Sequence, residues 1–300
     1  MKMNYTTLEI SIKEAKAIVL DLYGIEGSLI KLDGCVDFNF KVKTSAKDQY
    51  ILKIGRPNTD EKELDFQQKL LQYIASNQSI LVPKIVLNKS KEGMSTFLDN
   101  QGQSRTVRLL TWIKGRLWSG VNPQTAILRH QLGQQAGMLT SALEGFDHPQ
   151  AHRVSEWDNA QVAWVYDYLT LFEGRQGVLM EHFHTLIKTR LPQLLSLRKS
   201  VVHNDINDNN IVVSENLKNP EVLALIDYGD AICTPIINDL GVAGMYLPMN
   251  QPDALSAILP FVKGYHESFA LEEGELALLY SSIAMRLVIS LTQAKINEQK

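Results

Sequence analysis

The sequence predicts an α+β fold in two parts, with a strand-rich lobe over residues 1–113 and a mainly helical lobe over residues 114–300. Short aliphatic and aromatic runs, punctuated by turn residues, fill most of the first third. From Pro123 onward, long segments with helical periodicity dominate. The pattern changes at Thr111–Arg116 without a linker, which is typical of two lobes that meet at a hinge.

The first lobe is predicted to combine an antiparallel sheet with two helices. Ser11 followed by Glu14 fits a capping box and indicates a helix over Ser11–Tyr23. Apolar residues at helical spacing indicate another over Thr59–Ser76. Runs rich in β-branched and aromatic residues predict six strands, the first three as a meander: Ser28–Leu32, Phe38–Thr44, Gln49–Ile54, Val82–Leu87, Ser95–Leu98 and Arg105–Ile113.

The second lobe is predicted to be mostly helical, with short strands in its middle. Val201–Val213 and Val222–Ile226 are strand-and-loop segments, because aliphatic runs there are bounded by Asn, Asp and Gly. The remaining periodic segments predict helices: Thr125–Leu143, Asn159–Phe172, Leu179–Leu195, Ile236–Met245, Pro252–Ser268 and Glu272–Gln293.

The composition is that of an ordinary soluble protein. Hydrophobic residues make up 45% and charged residues 21% of the 300, and the net charge of −3 argues against a nucleic-acid-binding protein. The cysteines, Cys35 and Cys233, form no CxxC pair, so free thiols in a reducing compartment are expected. No apolar stretch near the ~20 residues of a membrane span and no signal peptide are evident, so a cytoplasmic location is expected.

One segment carries the strongest chemical signal. In Val202–Val213, His203 is followed two residues later by Asp205, and Asn210 follows five residues after that. A second aliphatic run ends in Asp227. If the two aliphatic runs pair as a hairpin, Asn210 and Asp227 lie at the same end of it.

These groups suit phosphoryl transfer. One carboxylate must orient the attacking hydroxyl and accept its proton, a role that Asp205 fits. Oxygen ligands must hold Mg²⁺ against the phosphates, a role that Asn210 and Asp227 fit. Asp and Asn also build ordinary turns, and the HxDxxxxN spacing between aliphatic strands is what favours the catalytic interpretation.

The sequence resembles the aminoglycoside phosphotransferase and choline kinase-like family over nearly its whole length. Within that family it is most similar to the hydroxylysine kinases and to the kinase domains fused to class III aminotransferases. Besides the catalytic-loop motif, the stretches Asp37–Val42, Val107–Arg116 and Ile226–Asp230 carry the resemblance. It implies a bilobal protein-kinase-like fold, with ATP in the cleft.

The resemblance also implies roles that spacing does not assign. Lys53, in a predicted strand, matches the lysine that holds the α- and β-phosphates, and its expected partner is an acid on the next helix. Asp65 is the best match for that acid, with Glu63 and Glu61 as competitors. Gly34 belongs to the loop expected over the phosphates.

Further roles follow from the same resemblance. The backbone of Leu110, Thr111, Trp112 and Ile113 is expected to bind adenine. His203 and Asp239 are expected to support the catalytic loop, and Asp230 could touch metal or a substrate amine.

Two residues depart from the family pattern. Asn204 stands where the family usually has glycine, and asparagine tolerates a positive φ better than most residues. Tyr228 replaces the commoner phenylalanine after Asp227, and its hydroxyl would need a partner if buried.

The predicted activity is therefore phosphorylation of a hydroxyl on a small amino alcohol or hydroxylated amino acid, with ATP and Mg²⁺. Hydroxylysine-like compounds, choline, ethanolamine, homoserine and aminoglycosides are the candidate acceptors, and a cationic or zwitterionic substrate is expected. A protein serine/threonine kinase of the same fold and a nucleotide-binding pseudokinase are the alternatives. The preference between ATP and GTP and the oligomeric state are left open.

Overall fold

The computed structural model describes residues 9–34, 36–57, 59–77 and 79–299, so Cys35 lies outside the described residues. The chain divides into two compact units, one of Met1–Gln72 with Pro83–Ile113 and one of Tyr73–Val82 with Lys114–Lys300. Every strand pair is antiparallel, and helices accompany the sheets in both units. The fold class is α+β, as predicted.

The first unit is built on one antiparallel sheet. Its strands run in the order β1-β2-β3-β6-β4, and β5 also pairs with β6, so the predicted meander of β1 to β3 is confirmed. The helices are α1 (Ile12–Tyr23) and most of α2 (Glu61–Ser76). The strands are β1 (Ser28–Leu32), β2 (Phe38–Lys43), β3 (Gln49–Ile54), β4 (Ile85–Val86), β5 (Ser95–Leu98) and β6 (Ser104–Thr111).

The core of this unit forms between α1 and one face of the sheet. Alternation along β2 buries Phe38, Phe40 and Val42 and leaves the residues between them less buried. These side chains pack with Ala15 and Val19 of α1 in a single cluster. Each large apolar side chain buried in this way contributes about 1.5–3 kcal/mol.

The second unit holds two small sheets among its helices. One has the order β10-β9-β7, and the other pairs β11 with β8. Its strands are β7 (Arg116–Leu117), β8 (Lys199–Val202), β9 (Ile211–Val213), β10 (Val222–Leu225) and β11 (Ile232–Pro235). Its α-helices are α3 (Ala126–Ala142), α4 (Gly174–Leu195), α5 (Ile237–Tyr246), α6 (Ala254–Ser268) and α7 (Glu273–Glu298).

This unit differs from the prediction in two details. The helix predicted over Asn159–Phe172 is present as a 3₁₀-helix over Asn159–Leu171, with a kink at Gln161. Asn159 turns inward there and donates to the backbone and hydroxyl oxygens of Ser282, a tertiary contact that local periodicity does not reveal. Strand β11 was not predicted, because four residues beside a turn give little periodic signal.

Helix α7 also departs from the sequence expectation. Among the described residues it is the one helix long and apolar enough to cross a membrane by length and composition, although half of its apolar window is buried within the protein. Its Glu275, Ser282, Arg286 and Thr292 are buried polar residues that bond to other protein groups. These bonds are typical of the core helix of a globular unit.

Candidate active site

The loop after β8 is held by a carboxylate from α5. The backbone N–H groups of His203 and Asn204 donate to the two oxygens of Asp239, at 3.1 and 2.7 Å. All three residues are buried. Burial raises the pKa of Asp239, while His203 and the two N–H donors act in the opposite direction. Asp239 thus sets the path of the chain immediately before Asp205.

The His203 ring links the same loop to the end of β10. The N–H of Asp205 donates to Nδ1 at 3.3 Å, so the ring proton resides on Nε2, which lies 3.0 Å from the carbonyl oxygen of Ile226. The ring packs against Tyr228 with a centroid separation of 4.7 Å. The Tyr228 hydroxyl, which needed a partner, donates to the carbonyl oxygen of Leu225 at 3.3 Å.

Asp205 and Asn210 lie together at one end of the hairpin formed by β9 and β10. The side-chain amide of Asn210 donates to the carbonyl oxygen of Asp205 at 2.9 Å and to its Oδ2 at 2.7 Å. The N–H of Ile226 donates to the carbonyl oxygen of Asn210, which places the next residue, Asp227, at the same end. Asp227 is exposed and has a positive φ of 62°. The predicted pairing of the two strands is therefore confirmed.

Arg286 of α7 is a member of this cluster that the sequence analysis missed. Its Nη2 lies 3.3 Å from Oδ1 of Asp205, its Nη1 donates to the carbonyl oxygen of Trp157 at 2.6 Å, and its guanidinium lies 4.9 Å from the Trp157 ring centroid. The side chain is 2% exposed. The available signal was a single charge within the apolar run Ile283–Ile289, since a buried charge requires a partner.

The surroundings of Asp205 are mostly acidic. Burial raises the pKa of Asp230, Asp205 and Asp227 reinforce the effect, and Arg286 and Arg153 oppose it. Burial likewise raises the pKa of the Tyr246 hydroxyl, an effect that Arg286 opposes and that Asp205 and Asp208 reinforce.

Arg153 stabilises the turn that carries Asp230. Its guanidinium donates to the carbonyl oxygens of residues 229 and 231, at 3.1 and 2.7 Å.

Asn204 is strained in two ways. Its φ is 60°, and its fully buried side-chain oxygen and nitrogen have no hydrogen-bond partner in the described part of the chain. We expect Asn204→Gly to raise the free energy of unfolding by about 1–2 kcal/mol, because glycine adopts this φ freely and removes the unpaired amide. Thermal unfolding at neutral pH measures the gain.

Asn250→Gly is the matched control for this prediction. Asn250 has a φ of 59° but is exposed, so its replacement tests the backbone contribution alone. An Asn204→Gly variant no more stable than Asn250→Gly would show that the buried amide carries no penalty.

In the first unit, Lys53 lies beside Asp37 and opposite Arg108, to which the sequence analysis assigned no role. Lys53 Nζ lies 4.0 Å from Oδ2 of Asp37. Arg108, opposite Lys53 in the β3–β6 register, donates to the same oxygen at 3.0 Å and to Oε1 of Gln67 on α2 at 2.7 Å. Asp65 accepts from Lys69 at 2.8 Å. The pairing of Lys53 with an acid of α2 stays a prediction.

Gly34 and the predicted adenine-binding residues also lie in this unit. A Cβ atom on Gly34 would lie 2.7 Å from the carbonyl oxygen of Asp37 and would also meet the Asn39 side chain, so the loop favours glycine there. The N–H groups of Thr111 and Trp112 already donate to the carbonyl oxygens of Lys84 and Gln49, at 2.8 and 2.9 Å. This bonding restricts the atoms that adenine could use at these residues.

The donor set at the hairpin end suits a hard divalent cation. Among the described residues no cluster of three His, Cys, Asp or Glu side chains could hold a metal ion. The amide nitrogen of Asn210 makes the bonds to Asp205, and its oxygen makes neither of them. An amide oxygen and the carboxylate of Asp227 fit Mg²⁺, which takes few protein ligands and completes its shell with water and phosphate oxygens.

The family model and the curated relatives that this chain matches are phosphotransferases. The model of the family described as "Phosphotransferase enzyme family" matches residues 29–276. A hydroxylysine kinase from Danio rerio is 24% identical over 93% of this chain and 81% of its own length. A homoserine kinase from Zymomonas mobilis is 24% identical over 90% of this chain and 83% of its own length.

A solved structure supports the fold. An amicoumacin kinase in complex with AMP-PNP and Ca²⁺ superposes with a TM-score of 0.74, at 16% identity, over 96% of this chain and 87% of its own. The structural neighbours have the kinase-like fold of aminoglycoside phosphotransferases, and this chain shares it. The predicted fold is therefore confirmed.

Proposed function

The chain belongs to the phosphotransferase enzyme family, and from this premise we propose that it transfers the γ-phosphoryl group of ATP to a hydroxyl of a hydroxylated amino acid or small amino alcohol. It is a phosphotransferase with an alcohol acceptor. The observation that carries the proposal is the bond from the Asn210 amide to the Asp205 carboxylate, at the hairpin end that also bears Asp227.

In the proposed reaction, Asp205 orients the acceptor hydroxyl and takes its proton. The hydroxyl oxygen forms a bond to the γ-phosphorus as the bond between that phosphorus and the β,γ-bridging oxygen breaks, and ADP leaves. Asn210 and Asp227 would hold Mg²⁺, which would neutralise charge on the phosphates. His203 and Asp239 keep the loop in place through the bonds already described.

The first unit is proposed to bind the nucleotide. Lys53 contacts the α- and β-phosphates, Gly34 belongs to the loop over them, and Asp65 or another acid of α2 orients Lys53. Asp37 and Arg108 flank Lys53 in the present arrangement and limit the directions its ammonium group can take. The backbone at Leu110, Thr111 and Trp112 is proposed to contact adenine through atoms that the sheet does not already use.

The acceptor is proposed to carry an ammonium group. The relatives named as hydroxylysine kinase and homoserine kinase act, by those names, on hydroxylated amino acids. The carboxylates of Asp205, Asp208 and Asp230 give the region around the reacting hydroxyl an acidic character that suits a cation. We place the enzyme in the cytoplasm, in accordance with its composition.

An ADP- or GDP-release assay tests the proposal. ATP and GTP are each combined with Mg²⁺ and with hydroxylysine, homoserine, ethanolamine, choline, an aminoglycoside or a serine-containing peptide. We expect nucleotide diphosphate release with ATP and at least one amino acid or amino alcohol, loss of activity with EDTA, and recovery with excess Mg²⁺. Transfer to the peptide alone would favour a protein kinase, and nucleotide binding without transfer to any acceptor would favour a pseudokinase.

A further inference from the structure

We propose that Arg286 is a positioning residue that holds the Asp205 carboxylate in the orientation in which it accepts the proton of the acceptor hydroxyl. This inference rests on the proposed function, because it assigns Asp205 the proton-accepting role. It adds a residue from α7, far along the chain from the catalytic loop, to the machinery of the reaction.

The two oxygens of Asp205 have different donors. Asn210 Nδ2 donates to Oδ2 at 2.7 Å, and Arg286 Nη2 donates to Oδ1 at 3.3 Å. A carboxylate held by one donor can rotate about its Cβ–Cγ bond, whereas donors on both oxygens fix its plane. Each oxygen still has acceptor capacity, so both donors can stay in place while the substrate hydroxyl approaches.

Arg286 is itself fixed by contacts outside the loop. Nη1 donates to the carbonyl oxygen of Trp157 at 2.6 Å, and the Trp157 ring lies beside the guanidinium plane. Its Nε is buried without a hydrogen-bond partner in the described part of the chain. An arginine placed only to satisfy its own donors would not leave Nε unpaired, so the contact to Asp205 gives a reason for its location.

The negative charges around Asp205 favour a cation such as Arg286 beside it. Asp230 and Asp208 share the acidic surroundings of Asp205, and Asp227 adds a further negative charge. Tyr246 of α5 interacts with the same carboxylate as a neutral phenol. Arg153 is committed to carbonyl oxygens of the turn at 229–231, and His203 is bonded through both ring nitrogens. Among the described residues, Arg286 is the cation that donates to Asp205, and it opposes repulsion from the neighbouring carboxylates.

A purely structural role for Arg286 makes a different prediction. Loss of packing would lower stability and would reduce activity equally whether or not Asp205 is present. A positioning role acts through Asp205 alone, so its effect disappears once that carboxylate is gone. The two roles are separated by a double-mutant cycle on kcat.

The experiment compares wild type, Arg286→Met, Arg286→Lys, Asp205→Asn and the two double variants, each assayed with the best acceptor from the release assay. We expect Arg286→Met to lower kcat about 30-fold, a fraction of the 10²–10⁴-fold that a positioned base supplies, with the nucleotide KM within about threefold of wild type. Arg286→Lys should recover part of the loss, because it keeps the charge without the planar fork. In the Asp205→Asn background, either change should alter kcat less than about threefold.

Arg129→Met is the matched control. Arg129 is also a buried arginine, on α3, with Nε and Nη2 lacking partners in the described part of the chain. Its replacement should leave kcat unchanged. Equal losses from Arg286→Met with and without Asp205, or a wild-type kcat in Arg286→Met, would overturn the inference.

Two further outcomes are distinguishable. If circular dichroism shows that Arg286→Met does not fold, the Arg286→Lys cycle decides, with an expected loss of about fivefold that vanishes without Asp205. If wild type transfers phosphate to no acceptor and equals Asp205→Asn, the proposed function itself fails. An active wild type, an Asp205→Asn variant with a kcat lower by about a thousandfold and an unaffected Arg286→Met would refute the positioning role alone.

Discussion

Replacing Asp205 with asparagine is expected to lower kcat about a thousandfold, the middle of the range for a general base. Asparagine has nearly the same shape but cannot take the hydroxyl proton. Its NH₂ group also replaces one of the two oxygens that accept from Asn210 and Arg286, so a donor would face a donor there. Steady-state release of ADP with the preferred acceptor measures the effect.

Asp253→Asn is a suitable control for this loss. Asp253 is an exposed N-cap of α6, and asparagine caps helices equally well, so activity and stability should both be retained. Nucleotide affinity of Asp205→Asn should stay within about threefold of wild type. Unchanged phosphoryl transfer in Asp205→Asn would refute the role assigned to this carboxylate.

Replacing Arg198 with methionine is expected to lower the free energy of unfolding by about 3–5 kcal/mol. Arg198 donates to both carboxylate oxygens of Glu275 at 2.8 Å and to the carbonyl oxygen of Ala270 at 2.7 Å. Glu275 is fully buried, so the substitution leaves a buried carboxylate without its bidentate partner. Thermal unfolding at neutral pH should show a Tm lower by about 10 °C.

Two variants check the cause of this destabilisation. Lys295→Met removes one partner of an exposed pair with Glu298 and should cost less than about 1 kcal/mol. The double variant Arg198→Met/Glu275→Met should recover much of the stability, because it removes the uncompensated charge as well as its partner. A double variant as unstable as Arg198→Met would indicate lost packing against Phe269 instead.

Local patterns were sufficient for much of the fold and for the centre of the site. Strands β1, β3 and β5 have the predicted bounds, and the capping box of Ser11 and Glu14 is present. The hairpin that joins Asn210 to Asp227 pairs as expected. These features depend on side-chain alternation and on residues that are neighbours along the chain, which a sequence displays directly.

The features that the sequence analysis missed depend on residues that are far apart along the chain. Lys53 lies beside Asp37, and Arg108 bonds to both Asp37 and Gln67. These residues come from the loop before β2, from β6 and from α2, which meet only in the fold. Arg286 likewise reaches Asp205 from another element. Periodicity indicates which face of an element is buried, but it does not identify the charged residue across the contact.

The contact between Arg286 and Asp205 has a consequence for how such sequences vary. The two residues are separated by 81 positions, and the HxDxxxxN pattern includes only one of them. A substitution of Asp205 would leave the Arg286 guanidinium without this partner, and a substitution of Arg286 would leave one carboxylate oxygen without this donor. We therefore expect homologues that keep the carboxylate to keep a cation at the position of Arg286 as well.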